Sequence, residues 1–151
     1  MNILDIKYEI YIEGTLEKVW NALVHPKYVK QIYMESVLES TFQEGDPYAY
    51  VGPGLEGERT THVYGTVISC KVNRELSISH YTGKAYNPET SIYPSYITYQ
   101  LEKIGKTVKL TLLHDRWEEN DPSYEGSKKA WPMILSNTKT LIETGRTLDF
   151  E

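Results

Sequence analysis

The chain has one cysteine in 151 residues, so Cys70 has no internal partner and no disulfide holds the fold. That usage suits a reducing compartment, and a cytoplasmic location is the expectation. No apolar run approaches the roughly 20 residues of a membrane-spanning helix. Residues 1–14 alternate charged and apolar side chains without a basic stretch leading into an apolar one, so they do not read as a secretory signal. Basic residues are in deficit, 16 against 21 acidic for a net charge of −5, and they are scattered along the chain. A nucleic-acid groove depends on clustered cations, so no nucleic-acid partner is expected. There is no Gly-x-Ser-x-Gly elbow, and Gly52-Pro53-Gly54 lacks the following helix and lysine of a phosphate loop. No two histidines sit at a helical metal-binding spacing, so neither a metal nor another cofactor is expected.

Phenylalanine is scarce too, with 2 against 13 tyrosines. Tyrosine carries a flat apolar body with a hydroxyl at its tip, which suits a partly polar cavity, although strands favour it for packing alone. The length fits one domain over residues 1–151, large enough to bury roughly two-thirds of its unfolded surface.

Leu4, Ile6, Tyr8, Ile10 and Ile12 fall on one face of an expected strand that Gly14 ends. Thr15 is placed to cap a short helix whose apolar stripe is Leu16, Val19, Trp20 and Leu23, and the His25-Pro26 pair stops it. Lys27 to Tyr33 forms a second short helix. Six strands are then expected at Glu35–Phe42, Tyr48–Val51, Arg59–Lys71, Leu76–Tyr81, Tyr96–Ile104 and Thr107–Trp117, separated mostly by short turns. One longer link, Thr82 to Ser95 with Pro88 and Pro94, reads as a surface loop. Trp131, Ile134, Leu135, Thr138, Leu141 and Ile142 repeat at the spacing of a helix lying on a sheet. Pro132 places the regular start of that helix near Trp131, after a kinked turn from Tyr124 to Lys129, and Gly145 ends it.

The expected class is α+β, a curved seven-stranded antiparallel sheet gripping a long C-terminal helix, with two short helices between the first and second strands. A twisted sheet of that width does not close flatly on one helix, so a cavity is expected between them.

Several segments carry a family resemblance: Thr15-Leu16-Glu17-Lys18-Val19-Trp20-Asn21-Ala22-Leu23, the Phe42–Gly45 turn, and Gly65-Thr66-Val67 ahead of Asn73-Arg74-Glu75-Leu76. Thr107–His114, Trp131-Pro132-Met133-Ile134-Leu135-Ser136-Asn137 and Leu141-Ile142-Glu143-Thr144-Gly145 continue it, in order and over nearly the whole chain. In these the chain resembles the START-like, helix-grip (SRPBCC) superfamily, in the branch named after activators of the heat-shock protein 90 ATPase. The resemblance implies the helix-grip fold. It leaves activity open, because such proteins include lipid carriers, hormone receptors, cyclases and chaperone cofactors. Many relatives carry a tryptophan after the first helix; here Gln31-Ile32-Tyr33-Met34 stands there and changes the wall of the pocket mouth.

Candidate ligand-binding residues are Tyr33, His62, Tyr64, His80, Tyr99, His114, Trp117, Trp131 and Leu135. The alternations Leu76, Ile78, His80 and Leu110, Leu112, His114 point both later histidines inward, where an imidazole can hold a ligand oxygen or move a proton. His80 and His114 are therefore also the candidate catalytic residues. Tyr99 shares the inward row of Ile97 and Leu101. Glu58, Arg59 and Arg116 are candidates for a charged group at the mouth. Three functions follow: binding of a small hydrophobic or aromatic molecule, stimulation of a chaperone ATPase, or cofactor-free catalysis by a cavity histidine. The sequence does not speak to oligomeric state.

Overall fold

The computed structural model describes residues 2–33, 35–83 and 93–150. Met34 and positions 84–92 of the expected loop, with Pro88, lie outside the described residues. Strand β1 (Ile6–Glu13) leads into helices α1 (Leu16–Val24) and α2 (Pro26–Ile32). Then come β2 (Val37–Ser40), β3 (Pro47–Pro53), β4 (Arg59–Lys71), β5 (Glu75–Thr82), β6 (Ser95–Ile104), β7 (Thr107–Asp115) and α3 (Tyr124–Thr144). The strands form one antiparallel sheet in the order β1-β7-β6-β5-β4-β3-β2. Only β1 leaves the sequential order, crossing to lie beside β7, and this lets α1 and α2 sit at one end of the sheet next to α3.

Local chemistry explains the element boundaries. The Thr15 hydroxyl accepts a hydrogen bond from the Lys18 amide at 3.2 Å and caps α1, and the His25 ring does the same for the Lys27 amide of α2 at 3.2 Å. Pro26 stands at the start of α2, where its missing N–H leaves nothing unpaired. The β6–β7 turn is the two-residue Gly105-Lys106 link, with Gly105 at φ 61°. Strand β2 is shorter than expected because Glu35 and Phe42 adopt φ of 66° and 60°, outside strand geometry. Arg116 at φ 56° likewise ends β7 at Asp115, two residues before the expected stop.

The turn expected over Tyr124–Lys129 and the helix expected from Trp131 are one continuous element. The helix runs from Tyr124, about two turns before Trp131, with Pro132 in its interior. Pro132 and Lys128 are both exposed, so the Lys128 carbonyl that proline cannot satisfy faces water. The early turns are anchored by the Tyr124 ring, edge-on to Trp117 with centroids 5.1 Å apart.

The core lies between the concave face and α3. Ile12, Val67, Leu76, Ile78, Ile97, Tyr99, Leu110 and Leu112 are buried there against Trp131 and Leu135. A smaller cluster of Ala22, Ile32 and Leu141 joins the three helices. The gap expected between sheet and helix is therefore occupied by aliphatic and aromatic side chains. Open clefts of about 400 and 450 Å³ lie elsewhere. Lys7, Glu9, Arg74 and Lys109 line the first, and Gly14, Lys18, Lys103 and Ile142 the second.

At the free edge of β1, α3 supplies the partners a neighbouring strand would have given. Lys139 Nζ donates to the Tyr11 carbonyl at 2.6 Å, and Glu143 accepts from the Glu13 amide at 2.8 Å. Lys139 and Glu143 also pair with each other at 2.8 Å. Among the described residues no helix is long and apolar enough to cross a membrane.

Candidate functional site

Two polar clusters sit within the apolar interior, on either side of Trp131. The first belongs to His114, which is wholly buried on the inward row of β7. The Trp131 indole N–H donates to His114 Nδ1 at 3.0 Å. An imidazole that accepts at Nδ1 carries its proton on Nε2 when neutral. That proton meets Ser95 Oγ at 2.7 Å, and the same oxygen lies 3.2 Å from His80 Nδ1. Donation therefore runs from Trp131 through His114 to Ser95, and the serine oxygen joins the two imidazoles.

Aromatic rings enclose this chain. Trp117 lies against the His114 ring with centroids 4.0 Å apart, and its indole N–H donates to the His114 carbonyl at 3.0 Å. The left-handed backbone at Arg116 is what turns Trp117 back over the histidine. The His80 and His114 rings meet edge-on at 4.8 Å. Burial pushes the His80 imidazole down to about 4, with Asp121 partly opposing the shift. Burial, with His80 adding to it, pushes His114 well below the usual histidine range. Both rings are neutral near pH 7.

Ser95 and His114 stand at the separation of a nucleophile and its base, but their polarity is reversed. A general base must accept the serine proton at Nε2. Here Nε2 is the donor, because the indole occupies Nδ1. The pair orders the interior and does not activate the serine.

The second cluster is made of phenols. The Tyr33 and Tyr99 hydroxyls are 3.2 Å apart, and Tyr50 interacts with both, so three hydroxyls from α2's end, β3 and β6 converge. The Tyr33 ring packs on Tyr50 with centroids 4.9 Å apart. Tyr99 meets Trp131 edge-on at 6.1 Å. Burial, reinforced by the neighbouring phenols, raises all three well above the ordinary tyrosine range, so they stay neutral donors. Tyr48 stands beside them, but its hydroxyl donates to the Ser79 carbonyl at 2.5 Å. That bond needs Gly65, since a Cβ there would overlap Ser79.

Of the residues singled out from the sequence, His80, His114, Trp117 and Trp131 form the first cluster, and Tyr33 and Tyr99 belong to the second. Leu135 is buried one turn beyond Trp131 on α3. His62 and Tyr64 are not brought in. His62 falls at the bulge where the β3–β4 register shifts, its ring 3.2 Å from the Pro53 carbonyl oxygen. Tyr64 is 41% exposed and stacks on Tyr81 with centroids 5.3 Å apart. Arg59 forks onto Glu39 at 2.9 and 2.6 Å, and Arg116 lies 4.5 Å over the Tyr96 ring. Ser95, Tyr48 and Tyr50 were not anticipated, yet the row Ser95, Ile97, Tyr99, Leu101 places the serine inward by period two.

The sequence matches the family described as Activator of Hsp90 ATPase homolog 1-like protein over residues 13–143. No curated protein is significantly similar to it. Among solved structures, protein ChR145 of Cytophaga hutchinsonii aligns with a TM-score of 0.74 at 24% identity, covering 96% of this chain and 98% of that one. Protein MLL2253 of Mesorhizobium loti aligns at 0.73 with 18% identity, over 92% and 96%. A protein of Colwellia psychrerythraea described as an Aha1 dimer aligns at 0.70 with 17% identity, over 93% and 97%. At these identities the likeness is one of fold.

Proposed function

From the premise that this chain belongs to the Activator of Hsp90 ATPase homolog 1-like family, we propose that it binds a small molecule with an apolar or aromatic body between the concave sheet face and α3. The observation that supports this reading is the convergence of the Tyr33, Tyr50 and Tyr99 hydroxyls inside an otherwise apolar interior. Ligand sites are apolar hollows with a few placed polar groups, and dry cores seldom gather three phenols at one point. A ligand enters by displacing side chains that fill the site in its absence. Native mass spectrometry of freshly purified protein, followed by denaturing extraction, tests the reading. A defined extra mass that chases out on unfolding supports it. A bare mass, together with no thermal shift across apolar and aromatic libraries, removes it.

The family's description favours a second reading, stimulation of a chaperone ATPase. Titrating the chain into the Hsp90 of its own source and finding ATP hydrolysis unchanged would dismiss that idea. Catalysis by a cavity histidine is the third reading, and since both ring nitrogens of His114 are already engaged it rests on His80.

A further inference from the structure

Resting on the ligand-binding reading above, we infer that the ligand's polar end is an uncharged oxygen acceptor, a carbonyl above all, seated among the hydroxyls of Tyr33, Tyr50 and Tyr99.

Each phenol has one proton to give. In the closed trio each hydroxyl interacts with the other two, so the donors are spent on one another. The trio is built from three separate elements, and one member is the natural one to move. Tyr33 is the C-cap of α2, with φ −110° and ψ 50°, and it is only half-buried, whereas Tyr50 and Tyr99 are 6% and 2% exposed on the inner rows of β3 and β6. When the Tyr33 side chain gives way, one hydroxyl of the remaining pair has no acceptor. The Tyr48 hydroxyl is directed at the Ser79 carbonyl and makes no hydrogen bond to Tyr50 or Tyr99. An apolar group in the vacated place would leave that donor buried and unpaired, which is costly. A ligand oxygen satisfies it, and a carbonyl, with two lone pairs, can accept from both Tyr50 and Tyr99.

Charge decides between kinds of oxygen. No lysine or arginine among the described residues is hydrogen-bonded to the trio, and its surroundings are Tyr48, Trp131 and aliphatic side chains. A carboxylate there would be a buried, unpaired charge. The phenols stay protonated in this setting and cannot neutralise a ligand cation either. The class that fits is an uncharged, oxygen-bearing apolar molecule.

Cumene, acetophenone and benzoate have nearly the same size and shape and differ in the group the trio would meet. Their dissociation constants can be read by NMR from the Trp131 indole N–H, beside Tyr99, in the wild-type chain and in Tyr99→Phe, with Tyr50→Phe as a second variant should the first melt early. The expected result is acetophenone binding about tenfold more tightly than cumene, benzoate no tighter than cumene, and the gap falling below about threefold in either variant. Equal binding of cumene and acetophenone would overturn the acceptor inference and leave the apolar site standing. Benzoate binding tightest would overturn its uncharged character. No response to any of the three would overturn both the inference and the reading beneath it.

Discussion

Trp131 on α3 and His114 on β7 share one hydrogen bond, 3.0 Å from indole nitrogen to Nδ1, and its direction fixes which ring nitrogen of His114 carries the proton. An indole nitrogen can only donate. With Nδ1 so occupied, His114 has no unprotonated nitrogen to offer a substrate, and its Nε2 proton is directed at Ser95 Oγ. The helix thus sets the chemistry of the sheet as well as covering it.

Replacing Trp131 with phenylalanine keeps an aromatic ring on the helix but removes the donor. His114 Nδ1 is then buried without a partner, and the smaller ring leaves a void, so the variant should lose about 2–4 kcal/mol of stability. Long-range nitrogen–proton NMR should show His114 protonated on Nε2 in the wild-type chain and a mixture of tautomers in W131F. A wild-type His114 protonated on Nδ1 would reverse the wiring described here.

Stability should fall on mild acidification. Burial pushes the His80 imidazole from the ordinary 6.5 of the unfolded chain down to about 4, so between those limits the unfolded chain holds more protons. The contribution of the neutral ring is complete above about pH 6.5 and is progressively lost as the pH drops towards 4, by about 3 kcal/mol in all. Urea midpoints measured from pH 7.5 down to about 4.5 check this. A flat profile would mean that His80 is not held in its neutral form.

Gly65 is where β4, Ser79 of β5 and the Tyr48 hydroxyl come together. Gly65→Ala should cost about 2 kcal/mol or more, because the new methyl meets strand backbone and not the end of a flexible side chain. Tyr48→Phe, which removes only the bond to Ser79, should cost about 1 kcal/mol. Thermal melts of both variants rank them, and an alanine variant as stable as wild type would show that the strands separate there easily.

Pro132 is the opposite case, a residue whose removal should help. Its ring is exposed, and it denies the Lys128 carbonyl a helical partner. Pro132→Ala should raise stability by about 1–2 kcal/mol, the restored helix bond being partly offset by the greater freedom of the unfolded chain. A lower melting temperature would mean that the bend at Pro132 is needed to seat Trp131.

The helices, the strands and the inward placement of His80, His114 and Tyr99 were legible because each follows from a repeat of about 3.6 or 2 in side-chain polarity. The limits of β2 and β7 were not, since non-glycine residues such as Phe42 and Arg116 hold left-handed backbone only because tertiary packing enforces it. The continuity of α3 through Pro132 was hidden, because an interior proline is disfavoured less where the carbonyl it orphans is at an exposed residue. The bulge at Tyr50–Val51 obscured which strand residues share a face, and with it the part played by Tyr48 and Tyr50. Ser95 looked like the end of a loop. Its position between two imidazoles depends on the β5–β6–β7 register, which no local pattern encodes.

The side chains that α3 lends to β1 bear on how this chain behaves in a crowd of its copies. A sheet edge recruits other strands through its unpaired amides and carbonyls. Here Lys139 and Glu143 already occupy the outward-facing groups of Tyr11 and Glu13, and Lys7 and Glu9 present charge along the rest of that edge. At the opposite margin β2 offers only 4 residues. One border is screened by helix side chains and the other is short, so neither presents an open template for adding strands.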